Sequence, residues 1–468
     1  MTELASDVVA WIEAVTGGTV VSIAAIPAGG RLGYMVDVKV PAGGTLELFL
    51  QRGRGDVGGT SFMGFDREAE VYRALEPLGI PIPHLWGVDA DRNVLLVVRA
   101  RGVTWFHPPA DPAEQVSVAQ DFMRHLATWH RATARAMNLP SFGQVRTVRE
   151  HQLEQLAGIR RMFEVQDAAR PIDALARMSL EFLESNVPNY DGEPVLVQGD
   201  TGPGNFMYAD GKVTAIVDWE LAHLGDPMDD IAWLSWRATQ HSFPDFPARL
   251  REYERSSGIM VDDDRVRYYR VNACARLGPR FGLADMGEAA SRRRAREAEG
   301  APPESDRTAD GSGLIMSMLH RRMVLTALAE AMRLDLPGRD IGAEMDPREH
   351  NAYYDTILGQ LQTMVPRIED RAVANLAKGI ARQVKYLKEI DRNGAFFESQ
   401  ELADMTRLLG REPASVEQGR PVLAEAAREG RVPAEEYLLY HWNRMVRDDH
   451  LMRTASGAMY ERGWPALR

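Results

Sequence analysis

The chain has 468 residues, 45% of them hydrophobic and 26% charged, a profile that suits a globular protein long enough for two or three domains. A formal charge of −12 disfavours nucleic acid and anionic membrane surfaces as partners, because both are held through clustered Lys and Arg. Cys274 is the single cysteine, which excludes an internal disulfide and a Cys-rich metal cluster, and no apolar run approaches the roughly 20 residues that cross a bilayer.

The chain opens MTELASDVVAWIE, with Glu3 and Asp7 where a secretory leader would carry positive charge, so a cytoplasmic location is expected. Residues 19 to 60 read as a β-meander: VVSIAAIP, the turn AGGRLG, YMVDVKV, PAGG and TLELFLQR. From Phe65 the period becomes helical. Glu68, Val71, Tyr72 and Leu75 share one face, which sets an acid on the apolar stripe of a helix that ends before Pro77. GIPIPHLWG then leads into another strand, NVLLVVRA, and beyond it the chain is mostly helical. The segment from Gly287 to Gly313 reads equally as a mobile loop or as a solvated helix over Ala289 to Glu299. LIMSMLHRRMVLTALAEAMRL and the residues from about 345 onward have helical periodicity. In the last of these helices Leu438, Trp442, Met445 and Val446 form an apolar stripe. That stripe predicts docking against the preceding lobes of the chain, a protein partner or a second copy.

The chemistry concentrates in VLVQGDTGPGNFMYADGKVTAIVDWELAHLGDPMDDIAWLSW, residues 195 to 236. Asp210-Gly211 is a two-residue hairpin signal between FMYA and KVTAIVD. Counting back from it pairs Ala209 with Lys212 and Phe206 with Ala215, and sets Asn205 opposite Ile216, close to Asp218. Asp200 enters the same mouth on the preceding loop. Two carboxylates and an amide oxygen, with no His or Cys, suit Mg²⁺ and therefore a phosphate substrate. One Asp facing an acceptor hydroxyl together with two metal ligands is a sufficient minimum for phosphoryl transfer. Asp226 before Pro227, with Asp229 behind it, has the pattern of a helix N-cap, or of a residue that orders the catalytic loop.

QGDTGPGN followed by the hairpin and DWELAHLGDP resembles the catalytic segment of the aminoglycoside phosphotransferase and choline kinase-like small-molecule kinases. DWELAHLGDPMDDIA is especially similar to the kinase-like domains associated with acyl-CoA dehydrogenases. The resemblance covers roughly residues 20 to 335. It implies an α+β, two-lobed protein-kinase-like fold: a nucleotide-binding lobe over 1–100, a helical catalytic and acceptor-binding lobe over 101–340, and an all-helical appendage over 345–468. It also implies an ATP- and Mg²⁺-dependent phosphotransferase acting on an alcohol group of a small molecule, with Asp200 as catalytic base and Asn205 and Asp218 as Mg²⁺ ligands. Gln198 stands where the family usually has the His that supports this loop, and Gln makes similar bonds.

For the nucleotide side the resemblance implies phosphate contacts from the backbone of Gly29 and Gly30. It implies a basic residue on the third strand, matched by Arg52 with Gln51 as the competing register. Arg52 would be paired with Glu68, and the backbone of Val98 and Ala100 would read the adenine edge. A protein kinase is disfavoured, because Asp218 is followed almost at once by GDP and a helix, with no room for a peptide-docking segment. The acceptor is therefore expected to be a small molecule, such as a hydroxyacyl, phenolic or amino-alcohol compound. The rival reading is a nucleotide-binding regulator without phosphotransfer, motivated by Gln198.

Overall fold

A computed structural model of the chain describes residues 4–28, 31–53, 64–104, 111–169, 172–278, 312–341 and 345–468. By contacts these fall into two units. One comprises Met1–Met162, Asn186–Ala273 and Trp464–Arg468, and the other Phe163–Ser185 and Cys274–Gly463. This division differs from the boundaries expected from sequence, since the second unit begins well before residue 345 and takes in a helix from the middle of the chain.

The first unit starts with α1 (Ser6–Thr16) and the strands β1 (Thr19–Ala28), β2 (Arg31–Lys39) and β3 (Thr45–Arg52). Next come α2 (Phe65–Leu75), β4 (Leu85–Asp89) and β5 (Val94–Val98). The five strands form one antiparallel sheet in the order β1-β2-β3-β5-β4. Strand side chains alternate between faces, and Tyr34, Val36, Val38, Leu48 and Leu50 all go to the face that α1 covers with Val8 and Ile12. The opposite face carries Arg31, Asp37, Glu47 and Gln51 together with Met35 and Phe49. Gly29 and Gly30, between β1 and β2, lie outside the described residues.

The helical lobe of this unit contains α3 (Pro112–Arg131) and α4 (Ala134–Met137), and α5 (Val148–Ala169) begins in it. After α6 (Ala174–Ser185), which belongs to the second unit, come β6 (Val195–Val197), β7 (Phe206–Ala209), β8 (Lys212–Ile216) and β9 (His223–Gly225). They form two small antiparallel pairs, β6 with β9 and β7 with β8. α7 (Pro227–Gln240), α8 (Phe246–Ser257) and α9 (Asp263–Arg276) follow. On β7 and just after β8, Phe206 and Trp219 are fully buried. Phe206 packs on Phe122 of α3 at 4.6 Å between ring centroids, and Trp219 packs on Trp129 at 5.5 Å. Each is the chain neighbour of a predicted ligand, Asn205 or Asp218, so an aromatic core anchors both positions from behind.

The second unit adds α10 (Ser312–Met332), α11 (Asn351–Met364), α12 (Arg371–Leu409), α13 (Val416–Arg428) and α14 (Ala434–Ser456). Leu438, Trp442, Met445 and Val446 of α14 are buried, and α14 packs on α10 and α12 of the same unit. The apolar stripe that sequence marked for docking is therefore consumed inside its own unit, which removes it as a reason to expect an oligomer. The helix considered for Ala289 to Glu299 falls outside the described residues. No helix among the described residues is long and apolar enough to cross a membrane.

Candidate active site

The β7–β8 hairpin carries one residue more than the simple count. Ala209 pairs with Lys212 as expected, but a bulge between Met207 and Tyr208 shifts the remainder, so Phe206 faces Ile216 rather than Ala215. The extra residue is Thr214, whose hydroxyl donates to the Arg101 carbonyl at 2.5 Å. The bulge leaves this residue unpaired in the ladder, which counting back from the turn does not anticipate. Its effect is to set Asn205 beside Val217, whose N–H donates to the Asn205 carbonyl at 2.9 Å, one residue from Asp218.

Asn205 also donates from Nδ2 to the backbone carbonyl of Asp200 at 2.7 Å. That bond commits the amide nitrogen and leaves Oδ1 as the ligating atom of the side chain. Asp218 adopts a left-handed backbone, φ 65°, uncommon outside glycine and found disproportionately at functional sites. Burial, and then the carboxylates of Glu220, Asp200 and Glu68, push the Asp218 carboxyl up to about 8 against the opposing charge of Arg31. Glu68 is itself fully buried, and its Oε1 has no hydrogen-bond partner among the described residues. The mouth thus holds more negative charge than its side chains neutralise, with oxygen donors facing it. Those are the conditions that suit a hard divalent cation.

Asp200 is held from α7. Arg237 donates to it through Nε at 2.8 Å and Nη2 at 2.5 Å, and the Trp233 indole N–H donates to the same carboxylate. Gly202 lets this helix approach: with φ 134°, a Cβ there would meet Arg237 Cβ at 2.8 Å. Neither Trp233 nor Arg237 belongs to a motif that marks it for this task. The spacing of four between them, which stacks side chains on one helical face, was the available signal.

The loop itself hangs on Asp230. This fully buried carboxylate accepts the backbone N–H of Gln198 and of Gly199, each at 2.9 Å, together with the Thr201 hydroxyl. His130 Nε2 lies 3.1 Å from it, while His130 Nδ1 lies 2.8 Å from the Tyr253 hydroxyl. Burial alone would raise the Asp230 carboxyl. The His130 bond and charge, Thr201 and the Gln198 N–H outweigh it and hold the group below the usual carboxylate range. Gln198 turns its side chain the other way and donates from Nε2 to the Val217 carbonyl at 2.8 Å, tying the catalytic loop to the hairpin. Asp226 caps α7 by accepting the Met228 N–H at 2.9 Å and pairs with Arg265 at 3.0 Å. The loop-ordering task considered for it is performed one helical turn later by Asp230.

On the nucleotide side the pairing differs from expectation. Glu68 is engaged by Arg31 of β2 at 2.5 Å, and Arg31 also reaches Glu220 at 3.1 Å. The Arg31 guanidinium donates to Gln51 at 2.8 Å. Arg52 shares the face of Leu48 and Leu50, and that is the face α1 covers. Gln51, the competing register, is therefore the β3 side chain beside the Arg31–Glu68 pair. Val98 is the last residue of β5 and Ala100 lies two residues beyond it. The Val98 N–H is donated to the His84 carbonyl at 2.9 Å. Among the described residues no cluster of three or more His, Cys, Asp or Glu is arranged to hold a metal.

A β-sheet lobe joined to a helical lobe, with a carboxylate-bearing loop and hairpin in the helical part, defines a kinase-type fold. The chain belongs to the phosphotransferase enzyme family APH, whose model matches residues 25–269. Acyl-CoA dehydrogenase family member 11 of Homo sapiens is 27% identical over 219 residues, 44% of this chain and 27% of that protein. Its counterpart in Rattus norvegicus is 28% identical over 180 residues, 36% of this chain and 22% of that protein. The chain thus spans about a quarter of the length of these relatives. They agree with the likeness of DWELAHLGDPMDDIA to the kinase-like domains associated with acyl-CoA dehydrogenases. A solved structure from Ralstonia eutropha, named as a candidate aminoglycoside phosphotransferase, has a TM-score of 0.50 and 18% identity. It covers 70% of this chain and 98% of its own, a likeness of fold.

Proposed function

We propose that the protein transfers the terminal phosphoryl group of ATP to a hydroxyl of a small molecule, with Mg²⁺ as cofactor, in the cytoplasm. The observation that carries this reading is the linkage of Asp200, Asn205 and Asp218 through the 2.7 Å Asn205–Asp200 bond and the Val217–Asn205 bond at 2.9 Å. Asn205 Oδ1 and the Asp218 carboxylate would hold the cation, whose chemistry is to neutralise charge on the transferring phosphoryl group. Asp200 has the catalytic part: it accepts the proton of the acceptor hydroxyl as that oxygen attacks phosphorus. Arg237 and Trp233 keep its carboxylate aimed until the hydroxyl arrives. Arg31, oriented by Glu68, is the cation placed to face the phosphates. Gln198 supports the loop through its bond to Val217, so the departure from the usual His does not by itself favour a regulator without phosphotransfer.

The acceptor follows from the relatives' names only as a class to test first, hydroxylated acyl compounds, with phenols and amino alcohols beside them. ATP consumption and phosphate transfer should be measured on such a panel, alongside thermal stabilisation by MgATP. Turnover on at least one acceptor is expected, reduced by roughly 10²–10⁴ in Asp200→Asn with MgATP affinity nearly unchanged. MgATP binding without turnover on any acceptor would turn the reading over to the regulator.

A further inference from the structure

The second unit contains a cavity of about 710 Å³ walled by α6, α13 and α14, within the usual size of small-molecule sites. Its apolar side is built from Ala174 and Met178 of α6 and Pro421 and Ala424 of α13. Its α14 side presents Tyr437, His441 and Arg444. The Tyr437 ring stands edge-on to His441 at 4.6 Å between centroids.

Several buried polar atoms on that side have no hydrogen-bond partner among the described residues. His441 is 3% exposed, and neither ring nitrogen has a hydrogen-bond partner among the described residues. Arg444 Nε is buried and likewise without a hydrogen bond, its nearest carboxylates being Glu401 and Asp448 at 3.8 Å each. Glu401 is already committed, accepting from Arg420 at 2.8 and 2.9 Å and from the Tyr440 hydroxyl at 2.8 Å. Behind His441 and outside the cavity wall, Arg321 of α10 is 3% exposed, and its Nε and Nη2 atoms have no hydrogen-bond partner among the described residues. Burial, and then the Arg321, Arg444 and Arg420 charges, hold His441 well below its usual range, so the ring is neutral and offers one N–H and one lone pair. Buried cations and an unpartnered imidazole beside an open volume are costly unless an anion completes them.

We propose that this cavity is a second ligand site, for a small organic anion with an apolar or aromatic body. The head, a carboxylate or a phosphate, sits on the Arg444 guanidinium and the His441 N–H, the donors such groups accept from best. The body lies against Tyr437 between the Ala174–Met178 and Pro421–Ala424 walls. The inference stands independently of the phosphotransferase reading, since every residue it uses belongs to the second unit.

Calorimetric titration of the full chain at low salt, with MgATP in excess, tests it using benzoate, phenyl phosphate and the neutral analogue benzyl alcohol. Benzoate, phenyl phosphate or both are expected to bind, which distinguishes the two head groups, and benzyl alcohol to bind at least tenfold more weakly. Arg444→Met and His441→Leu should each weaken the anion at least tenfold. Ala424→Trp, which fills the cavity without touching the head groups, should abolish binding and decides the matter if the other variants do not fold by circular dichroism. No binding by either anion, equal binding of benzyl alcohol, or binding unchanged in Ala424→Trp would overturn the proposal.

Discussion

Replacing Asp230 would strip the acceptor from Gln198 N–H, Gly199 N–H, the Thr201 hydroxyl and His130 in one step. All of these groups are buried, so none recovers a water in exchange. Asp230→Ala is therefore expected to cost about 3–5 kcal/mol, the range for stripping one partner from a buried charged network. Denaturant unfolding followed by the fluorescence of buried Trp129 and Trp219 measures it, and a loss below about 1 kcal/mol would contradict the role given to this residue. A second contrast at the same scale separates two arginines. If Arg31 faces the phosphates, Arg31→Ala should weaken MgATP roughly 10- to 100-fold, as expected for a charged hydrogen bond, while Arg52→Ala stays within about threefold. Calorimetry on both variants decides, and the reverse order would restore the third strand as the source of the cation. That Arg31 rather than Arg52 pairs with Glu68 was not legible in the sequence. Strand parity does tell which residues share a face, but not which face α1 covers and which is turned to Glu68. Asp230 was equally hidden, because DPMDDIA offers three acids and only their position on the folded α7 says which one looks at the loop.

Elements were easier to read than their partners. The helix from Phe65 to Leu75, the three strands before it and the Asp210-Gly211 turn follow from local signals, namely the 3.6-residue period, alternation and turn chemistry. The hairpin departs from the simple count at Thr214, the residue that the bulge leaves unpaired. Gly102 shows the same limit from another side. Its φ of 111° and a would-be Cβ 2.2 Å from the Tyr208 carbonyl oxygen make it the point where the chain leaving β5 touches the hairpin, a contact spanning about a hundred residues of sequence. The cap of α7 is a local feature with a measurable pH signature. Burial pushes Asp226 up to about 6, with the Arg265 charge opposing. A raised carboxyl binds its proton more tightly in the folded state than in the unfolded one, so stability falls as pH rises from about 4 through 6 and is level above that. A shift of about two units corresponds to about 3 kcal/mol. Asp226→Asn keeps a capping oxygen and does not titrate. Relative to the parent it should gain about 3 kcal/mol in stability between pH 4 and pH 7, read from unfolding at both values. A difference that does not change with pH would show that Arg265 fully compensates the burial.

For the whole molecule, the sequence conveyed a β-rich part, a helical catalytic part and a helical remainder, but not how the chain is shared among them. Segment boundaries read along a sequence assume that a domain is continuous, whereas here Trp464–Arg468 belongs to the unit that begins with α1. No motif marks those five residues, so their importance rests on contacts alone. Trp464 lies over the buried Arg270 guanidinium at 4.8 Å and beside Trp236 of α7 at 5.9 Å. The Pro465 carbonyl accepts from Arg270 Nη2 at 2.7 Å, and Arg468 donates to the Val261 carbonyl at 2.7 Å and pairs with Glu254 at 3.1 Å. Loss of the tail removes the Pro465 carbonyl and the Trp464 ring from Arg270, which also donates to Ser235 at 3.2 Å. Because Trp236 and Ser235 share α7 with Trp233 and Arg237, loss of the tail loosens the helix that aims Asp200. A protein ending at Gly463 is therefore expected to lose about 3 kcal/mol from the first unit, from an uncovered aromatic pair and a lost charged hydrogen bond, with the second unit unchanged. The transition that MgATP shifts in calorimetric melting identifies the first unit, and Trp464→Ala in the full chain should reproduce part of the effect. If removal of the five residues leaves that transition where it was, they are an ornament on the surface and the division of the chain into two units ends at residue 463.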